Sequence, residues 1–308
     1  LKVIFHGEEG VDEGGVKREF FQLLVAELFR SDYGMFKRLK HSGAYWFASH
    51  GSLLSGDDGE YLQNYFLTGI AIGLAIYNGV ILDVNFPCLL FKKLLNENVG
   101  LRDMNELDPN VYSSLRSLLQ YEGADLEDVF MLTFDHSTED FGKVSTVELI
   151  PGGSDVDVTQ KNKIEYVNKV VEYHLTTSIA KQFRAFARGF VTVVNGKALE
   201  LFSGSELELV VAGEPDLDFV ALERAALYEG GYSSSHRTIQ HLWRVLRSLK
   251  LPQKQKFLKF VSGCARAPIG GLGKLRPMLK IQRHADLSLL PQAATCFCTL
   301  LLPDYGNE

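Results

Sequence analysis

The sequence predicts an α+β fold that is divided into two lobes. Its 308 residues exceed the length at which a single hydrophobic core usually keeps growing. Apolar residues recur at helical spacing through much of the chain, whereas residues 294–303 alternate like a β-strand that ends at Pro303. Apolar residues make up 46% and charged residues 23%, which is the balance of a globular protein and excludes long disordered stretches.

The first predicted elements are a strand, a loop and a helix. Residues 1–5 are typical of a strand. The loop at 7–15 is rich in glycine, but it carries four carboxylates and lacks the Lys-Ser/Thr pair of a phosphate-binding loop. A nucleotide site is therefore not predicted there. Residues 16–29 follow as a helix with one apolar face.

Residues 61–82 contain no charged side chain and are numerous enough to cross a bilayer as a helix. Gln63, Asn64, Thr68 and Asn78 interrupt the apolar run, and no basic cluster flanks it. The pattern favours a buried helix over a membrane span. The glycines of this segment would then allow close packing against a neighbouring element.

The middle of the chain is predicted to be mainly helical. Asp108 is a plausible cap for a helix whose first turn contains Pro109. Residues 155–159 alternate like a short strand, and residues 162–189 have the spacing of one long helix. A long amphipathic helix needs other elements to cover its apolar face, which favours a large helical lobe here.

A domain boundary is predicted where helix 199–211 meets the sequence Ala-Gly-Glu-Pro-Asp. Helices usually end at or before the residue that precedes proline, so the break lies at 212–216. Two further helices are predicted near 238–249 and 253–261. Gly263 is a suitable C-terminal cap for the second of them.

The net charge of −6 argues against a nucleic-acid partner, because phosphate backbones are bound by clustered positive charge. Four cysteines in a chain of this length do not make a disulfide framework, which favours a reducing cytosolic or nuclear setting. Cys296 and Cys298 lack a second Cys or His pair at the spacing of a zinc site. No metal site is predicted.

The residues alone leave the role of Cys296 open. It could be the nucleophile of a cysteine hydrolase, although no His–Asn or His–Asp pair stands in a recognisable context. It could accept and donate an acyl group through its thiol. A cysteine beside Thr295 and Phe297 in a strand is also commonly just a small buried apolar residue.

Several motifs resemble those of one enzyme family. The stretch LPQAATCF at 290–297 resembles the active-site signature LPxxHTCFN of HECT-type ubiquitin ligases. Further stretches resemble HECT motifs in the same order along nearly the whole chain. They are GEEGVDEGG at 7–15, GLAIYN at 73–78 with the segment 82–87, the segment 182–190, YEGGY at 228–232 and the segment 263–272. Among subgroups the chain is most similar to the E6-associated-protein-like ligases.

The resemblance implies a bilobal fold with a large, mainly helical N-lobe at 1–213 and a smaller α/β C-lobe at 217–308. A flexible hinge would join them at Gly213, Glu214, Pro215 and Asp216. The implied partners are ubiquitin, a ubiquitin-conjugating enzyme (E2) and protein substrates, with no cofactor. Family members also extend beyond both ends of this sequence, with a helix before residue 1 and a helix and tail after residue 305.

The resemblance also assigns roles to particular residues. Cys296 would carry ubiquitin as a thioester, with Thr295, Phe297 and Arg266 around the thiol, and Arg266 could stabilise a thiolate or an oxyanion. The E2 would dock on a subdomain at about 83–141, in a groove lined by Leu94, Leu95, Tyr112, Leu115, Phe130 and Phe134.

Two positions depart from the family signature. Ala294 stands where the family has histidine, and Cys298 stands where it has asparagine. In a continuous strand Cys298 would face the same side as Cys296 and offer a competing thiol. These departures keep open a second hypothesis, in which a degenerate HECT domain binds E2 or ubiquitin without efficient transfer. A cysteine hydrolase is the third.

Overall fold

A computed structural model describes residues 1–6, 15–49, 58–140, 143–194 and 199–306 of the chain. The glycine-rich loop lies outside these residues except for its last glycine. The predicted α+β class is confirmed, with helices throughout and one four-stranded sheet near the C-terminus.

The α-helices are α1 (Gly15–Leu28), α2 (Asp58–Tyr77), α3 (Cys88–Leu94), α4 (Leu101–Leu107), α5 (Pro109–Gln120), α6 (Leu126–Phe130), α7 (Lys163–Leu175), α8 (Ala180–Val193), α9 (Gly204–Ala212), α10 (Phe219–Ala225), α11 (Arg237–Ser248) and α12 (Leu251–Ser262). The strands are β1 (Phe36–Arg38), β2 (Tyr45–Phe47), β3 (Asp135–Asp140), β4 (Lys143–Glu148), β5 (Leu227–Glu229), β6 (Lys280–His284), β7 (Gln292–Ala294) and β8 (Thr299–Pro303).

The chain divides into two compact units. One comprises Leu28–Gly73 and Asn85–Leu207, and the other comprises Leu1–Glu27, Leu74–Val84 and Glu208–Glu308. Within the described residues, no helix combines the length and the apolar character that crossing a membrane requires.

The first of these units is held by close helix packing and an aromatic core. A Cβ on Gly69 of α2 would lie 2.0 Å from the carbonyl oxygen of Phe186, and one on Gly189 of α8 would lie 1.9 Å from that of Phe66. Only glycine permits these two backbones to approach so closely, as the sequence predicted for α2. Phe47 packs edge-on against Phe186, with ring centroids 5.5 Å apart.

Two antiparallel hairpins, β1–β2 and β3–β4, also belong to this unit. Asp108 caps α5 as predicted, since its carboxylate accepts from the backbone N–H groups of Asn110 (2.9 Å) and Val111 (3.1 Å). Pro109 occupies the first position of the helix. This cap fixes the start of α5, which forms one side of a groove described below.

The C-terminal part of the other unit contains the sheet, in the order β5-β6-β8-β7. β5, β6 and β8 are parallel, and β7 runs antiparallel to β8 at the edge. Trp243 and Leu258, from α11 and α12, are buried in one apolar cluster with Ile281 and Leu300 of the sheet. This cluster makes the sheet a rigid base for the connection between β7 and β8.

Four predicted elements are wrong. Residues 1–5 form no strand, and 155–159 contribute only an isolated bridge from Asp157 to Thr133. The single helix predicted at 162–189 is in fact two helices, α7 and α8. The chain leaves the α-helical path at Thr176 (φ −138°, ψ −62°) and forms a 3₁₀ turn at Thr177–Ile179. The strand predicted at 294–303 is interrupted by a turn at 295–297.

Candidate active site

Cys296 is the middle residue of the turn that connects β7 to β8. Thr295–Phe297 form a 3₁₀ turn, which the Cys298 backbone N–H closes by donating to the carbonyl oxygen of Thr295 at 3.1 Å. The Phe297 side chain is 56% exposed, Thr295 is exposed and Cys296 is partly exposed. The turn therefore leaves Cys296 partly exposed, between two paired strands of the sheet.

Cys298 has the opposite environment. Its backbone is left-handed (φ 48°, ψ 46°), which turns the chain from the 3₁₀ turn into β8. Its side chain is 0% exposed and belongs to the apolar cluster under the sheet. Burial raises the pKa of the Cys298 thiol to about 11, so the thiol stays protonated at neutral pH. The expectation that the two cysteines share one side of a strand is wrong, because Cys296 lies within the 3₁₀ turn and Cys298 follows it.

Arg266 lines a cavity of about 150 Å³ whose other charged residues are Arg18, Lys274 and Arg276. Cys296 is not among the residues that line it. The cysteine in this cavity is Cys264. Burial raises the pKa of the Cys264 thiol, while a hydrogen bond from the Arg266 backbone acts in the opposite direction. The described contacts therefore place Arg266 beside Cys264.

The predicted hinge begins where α9 ends. Gly213 has a φ of 73°, and a Cβ there would meet the carbonyl oxygen of Ala267 at 2.4 Å. Glu214 and Ala267 exchange two backbone hydrogen bonds of 2.8 and 3.0 Å, and the Glu214 carboxylate accepts from the Gly270 N–H at 2.9 Å. Pro215 and Asp216 are exposed. Glu214, in the first half of the predicted hinge, is thus hydrogen-bonded to the loop at 267–270.

A groove of about 580 Å³ is lined by α5, by the last residue of α6 and by the segment that follows it. Val111, Leu115 and Leu118 of α5 form one wall, and Phe130 and Leu132 face them. Its polar lining residues are Asn110, Ser113, Ser114, Ser117 and His136. A cavity lined by both apolar and polar side chains suits a protein segment that carries apolar side chains.

Among the described residues, no group of three or more His, Cys, Asp and Glu side chains is arranged to hold a metal ion. Residues 22–308 match the family described as HECT-domain (ubiquitin-transferase). The chain belongs to the HECT family.

Named relatives agree with this assignment. The HECT domain is 41% identical over 309 residues to the probable E3 ubiquitin-protein ligase HERC3 of Homo sapiens, which covers 100% of this chain and 29% of that protein. It is 40% identical over 308 residues to the probable E3 ubiquitin-protein ligase HERC4 of Rattus norvegicus (100% and 28%). It is 38% identical over 323 residues to the probable E3 ubiquitin-protein ligase HECTD2 of Homo sapiens (100% and 40%). The chain thus spans less than half the length of each of these relatives.

The groove of this HECT domain contains two of the six residues predicted to bind an E2, namely Leu115 and Phe130. Leu94 and Phe134 do not line the groove; both are buried, as Leu115 is too (6% exposed). Leu95 and Tyr112 are partly exposed and do not line the groove.

Sequence reasoning missed Val111, Leu118 and Leu132 as residues of the groove. The first two share the apolar face of α5 with Leu115, so helical spacing could have indicated them. Leu132 follows Met131, whose left-handed backbone (φ 46°) no sequence pattern predicted. The direction of the chain after α6 therefore depends on information that the periodicity does not contain.

Proposed function

We propose that this HECT domain carries ubiquitin as a thioester on Cys296 and transfers it to lysines of protein substrates. The observation on which the proposal rests is the division between the two cysteines, with Cys296 presented by a surface turn and Cys298 buried as a thiol. Only the first has the access that a carrier of a second protein requires.

Two acyl transfers make up the proposed reaction. The Cys296 thiolate attacks the carbonyl carbon of the thioester that joins ubiquitin to the E2, and the cysteine thiolate of the E2 leaves. One thioester replaces another, so this step is close to balanced in energy. A neutral lysine amine then attacks the new thioester, an amide bond forms, the Cys296 thiolate leaves, and the proton of the amine passes to a base or to water.

The proposed layout keeps an N-lobe at 1–213, a hinge at 214–216 with Gly213, and a C-lobe at 217–308. A hinge has a mechanistic reason, because one cysteine must meet first the E2 and then the substrate. The same motifs support membership of the E6-associated-protein-like subgroup. The low cysteine content supports a cytosolic or nuclear setting.

The test of the carrier mixes the protein with ubiquitin, activating enzyme and a panel of E2 enzymes, followed by a non-reducing gel. We expect a ubiquitin adduct that a thiol reductant removes and that Cys296→Ala abolishes. Cys298→Ala is the matched control and should retain the adduct, because the buried thiol is not the carrier. Full transfer by Cys296→Ala would refute the assignment. No adduct with any E2 would favour a binding module instead.

We further propose that the E2 docks in the groove between α5 and the segment after α6. Phe130→Ala should weaken E2 binding by about thirtyfold or more, since truncating a buried aromatic anchor costs roughly 2 kcal/mol or more. Val129→Ala is the matched control, because Val129 is the preceding residue and is exposed outside the groove. Titration calorimetry with the E2 that loads Cys296 most efficiently measures both affinities. Equal losses for the two variants would place docking elsewhere.

A further inference from the structure

A second cavity, of about 520 Å³, adjoins the groove, and its lining is rich in cationic side chains. We call it the basic pocket and define it by Lys37, Arg38, Lys40, His41, His136 and His174. The first four come from β1 and the turn that follows it, and the two histidines face them from β3 and α7.

The charge of the basic pocket is opposite to that of the chain. Two lysines and one arginine line it against a single carboxylate, that of Asp108, whereas the whole chain has a net charge of −6. One oxygen of that carboxylate accepts the two backbone N–H groups at the start of α5. Positive charge therefore dominates this concave surface, and Lys40 and His41 are exposed at it.

The two histidines form a fixed wall of the pocket. Their Nε2 atoms lie 2.7 Å apart and their ring centroids 4.7 Å apart, so one ring donates a hydrogen bond to the other. Burial lowers the pKa of His136, although the carboxylates of Asp135 and Asp108 oppose that shift. The lysines and the arginine of the lining therefore supply the fixed positive charge of the pocket.

The basic pocket and the groove are continuous. Asn110, Val111 and His136 line both cavities. A protein that fills the groove therefore contacts residues that also line the pocket. Acidic side chains on that protein would then lie near the exposed Lys40 within the same interface.

We propose that the basic pocket binds acidic side chains of the E2 that docks in the adjoining groove, and so selects among E2 enzymes. This inference rests on the proposed docking of an E2 in the groove. Charge pairs at the rim of an interface mainly raise the association rate and make binding sensitive to salt. An E2 without carboxylates beside its docking loops would gain nothing from the pocket.

The test compares Lys40→Glu with Lys161→Glu. Lys161 is also exposed, lies outside the linings of both cavities, and undergoes the same change of charge. Affinity for the E2 that loads Cys296 is measured by calorimetry at low and at high NaCl concentration, with thermal unfolding as a check of folding. We expect Lys40→Glu to weaken binding by roughly three- to tenfold at low salt, with a smaller loss at high salt because exposed pairs are screened. Lys161→Glu should leave the affinity unchanged.

A reciprocal experiment identifies the contact on the partner. Reversing an acidic residue beside the docking loops of the E2 to lysine should restore binding to Lys40→Glu. Equal affinities for the wild type, Lys40→Glu and Lys161→Glu would overturn the inference. If Phe130→Ala still weakened binding in that case, the proposed docking groove would stand and only the basic pocket would lose its role. Failure of the wild type to bind any E2 would overturn both.

Discussion

Two cysteines separated by one residue have different surroundings because the backbone changes direction between them. Cys296 sits in the 3₁₀ turn at the surface, and Cys298 enters the apolar cluster beneath the sheet. The raised pKa of the Cys298 thiol follows from this burial, because an apolar environment disfavours the charged thiolate. The concern that Cys298 competes with Cys296 for ubiquitin is therefore removed for the folded protein.

Alkylation with iodoacetamide tests this difference at the residue scale. Only thiolates react, and a thiol with a pKa of about 11 has roughly one part in a thousand as thiolate at pH 8. We expect mass spectrometry to find Cys296 modified at pH 8 and Cys298 unmodified, with labelling of Cys298 growing only as the pH rises toward 11. Both should react in denaturant, which serves as the control. Rapid labelling of native Cys298 at pH 8 would contradict its buried position.

At the scale of elements, the contact between α2 and α8 depends on two glycines that approach the facing backbone. The sequence indicated α2 as a helix that glycines help to pack, and it correctly placed α11 and α12 with the cap at Gly263. It did not indicate the division between α7 and α8, since apolar spacing continues across the break. Nor did it indicate the β3–β4 hairpin, whose residues are mostly polar and lack a clear apolar face.

Gly69→Ala and Gly189→Ala test the helix contact. Each added methyl group would lie about 2 Å from a carbonyl oxygen of the opposite helix, so one backbone must shift. We expect each substitution to reduce the free energy of unfolding by about 3 kcal/mol or more. Gly273→Ala is the matched control, because its Cβ would meet Ala221 at an ordinary 3.9 Å. Chemical denaturation measures all three, and equal stabilities would show that the helices pack farther apart.

At the scale of the whole molecule, the motifs predicted the family and the α+β class, whereas composition indicated only a globular protein. Two of the six residues predicted for E2 docking line the groove, because a family motif indicates which segment is involved but not which side chains face outward. Leu94 and Phe134 are buried and belong to the hydrophobic core. Long-range packing decides which apolar side chains enter the core and which line the groove. One sequence carries little information about that packing.

The left-handed backbone at Cys298 bears on how a family signature should be understood. The HECT signature has asparagine at this place, and asparagine enters the left-handed region more readily than most residues. Cysteine adopts the same conformation here, with a φ of 48°. In this chain the position after Phe297 therefore requires a residue that can adopt a left-handed backbone. With cysteine in place of asparagine, the chain has a residue that enters the left-handed region less readily but has a small apolar side chain. The turn itself is still formed.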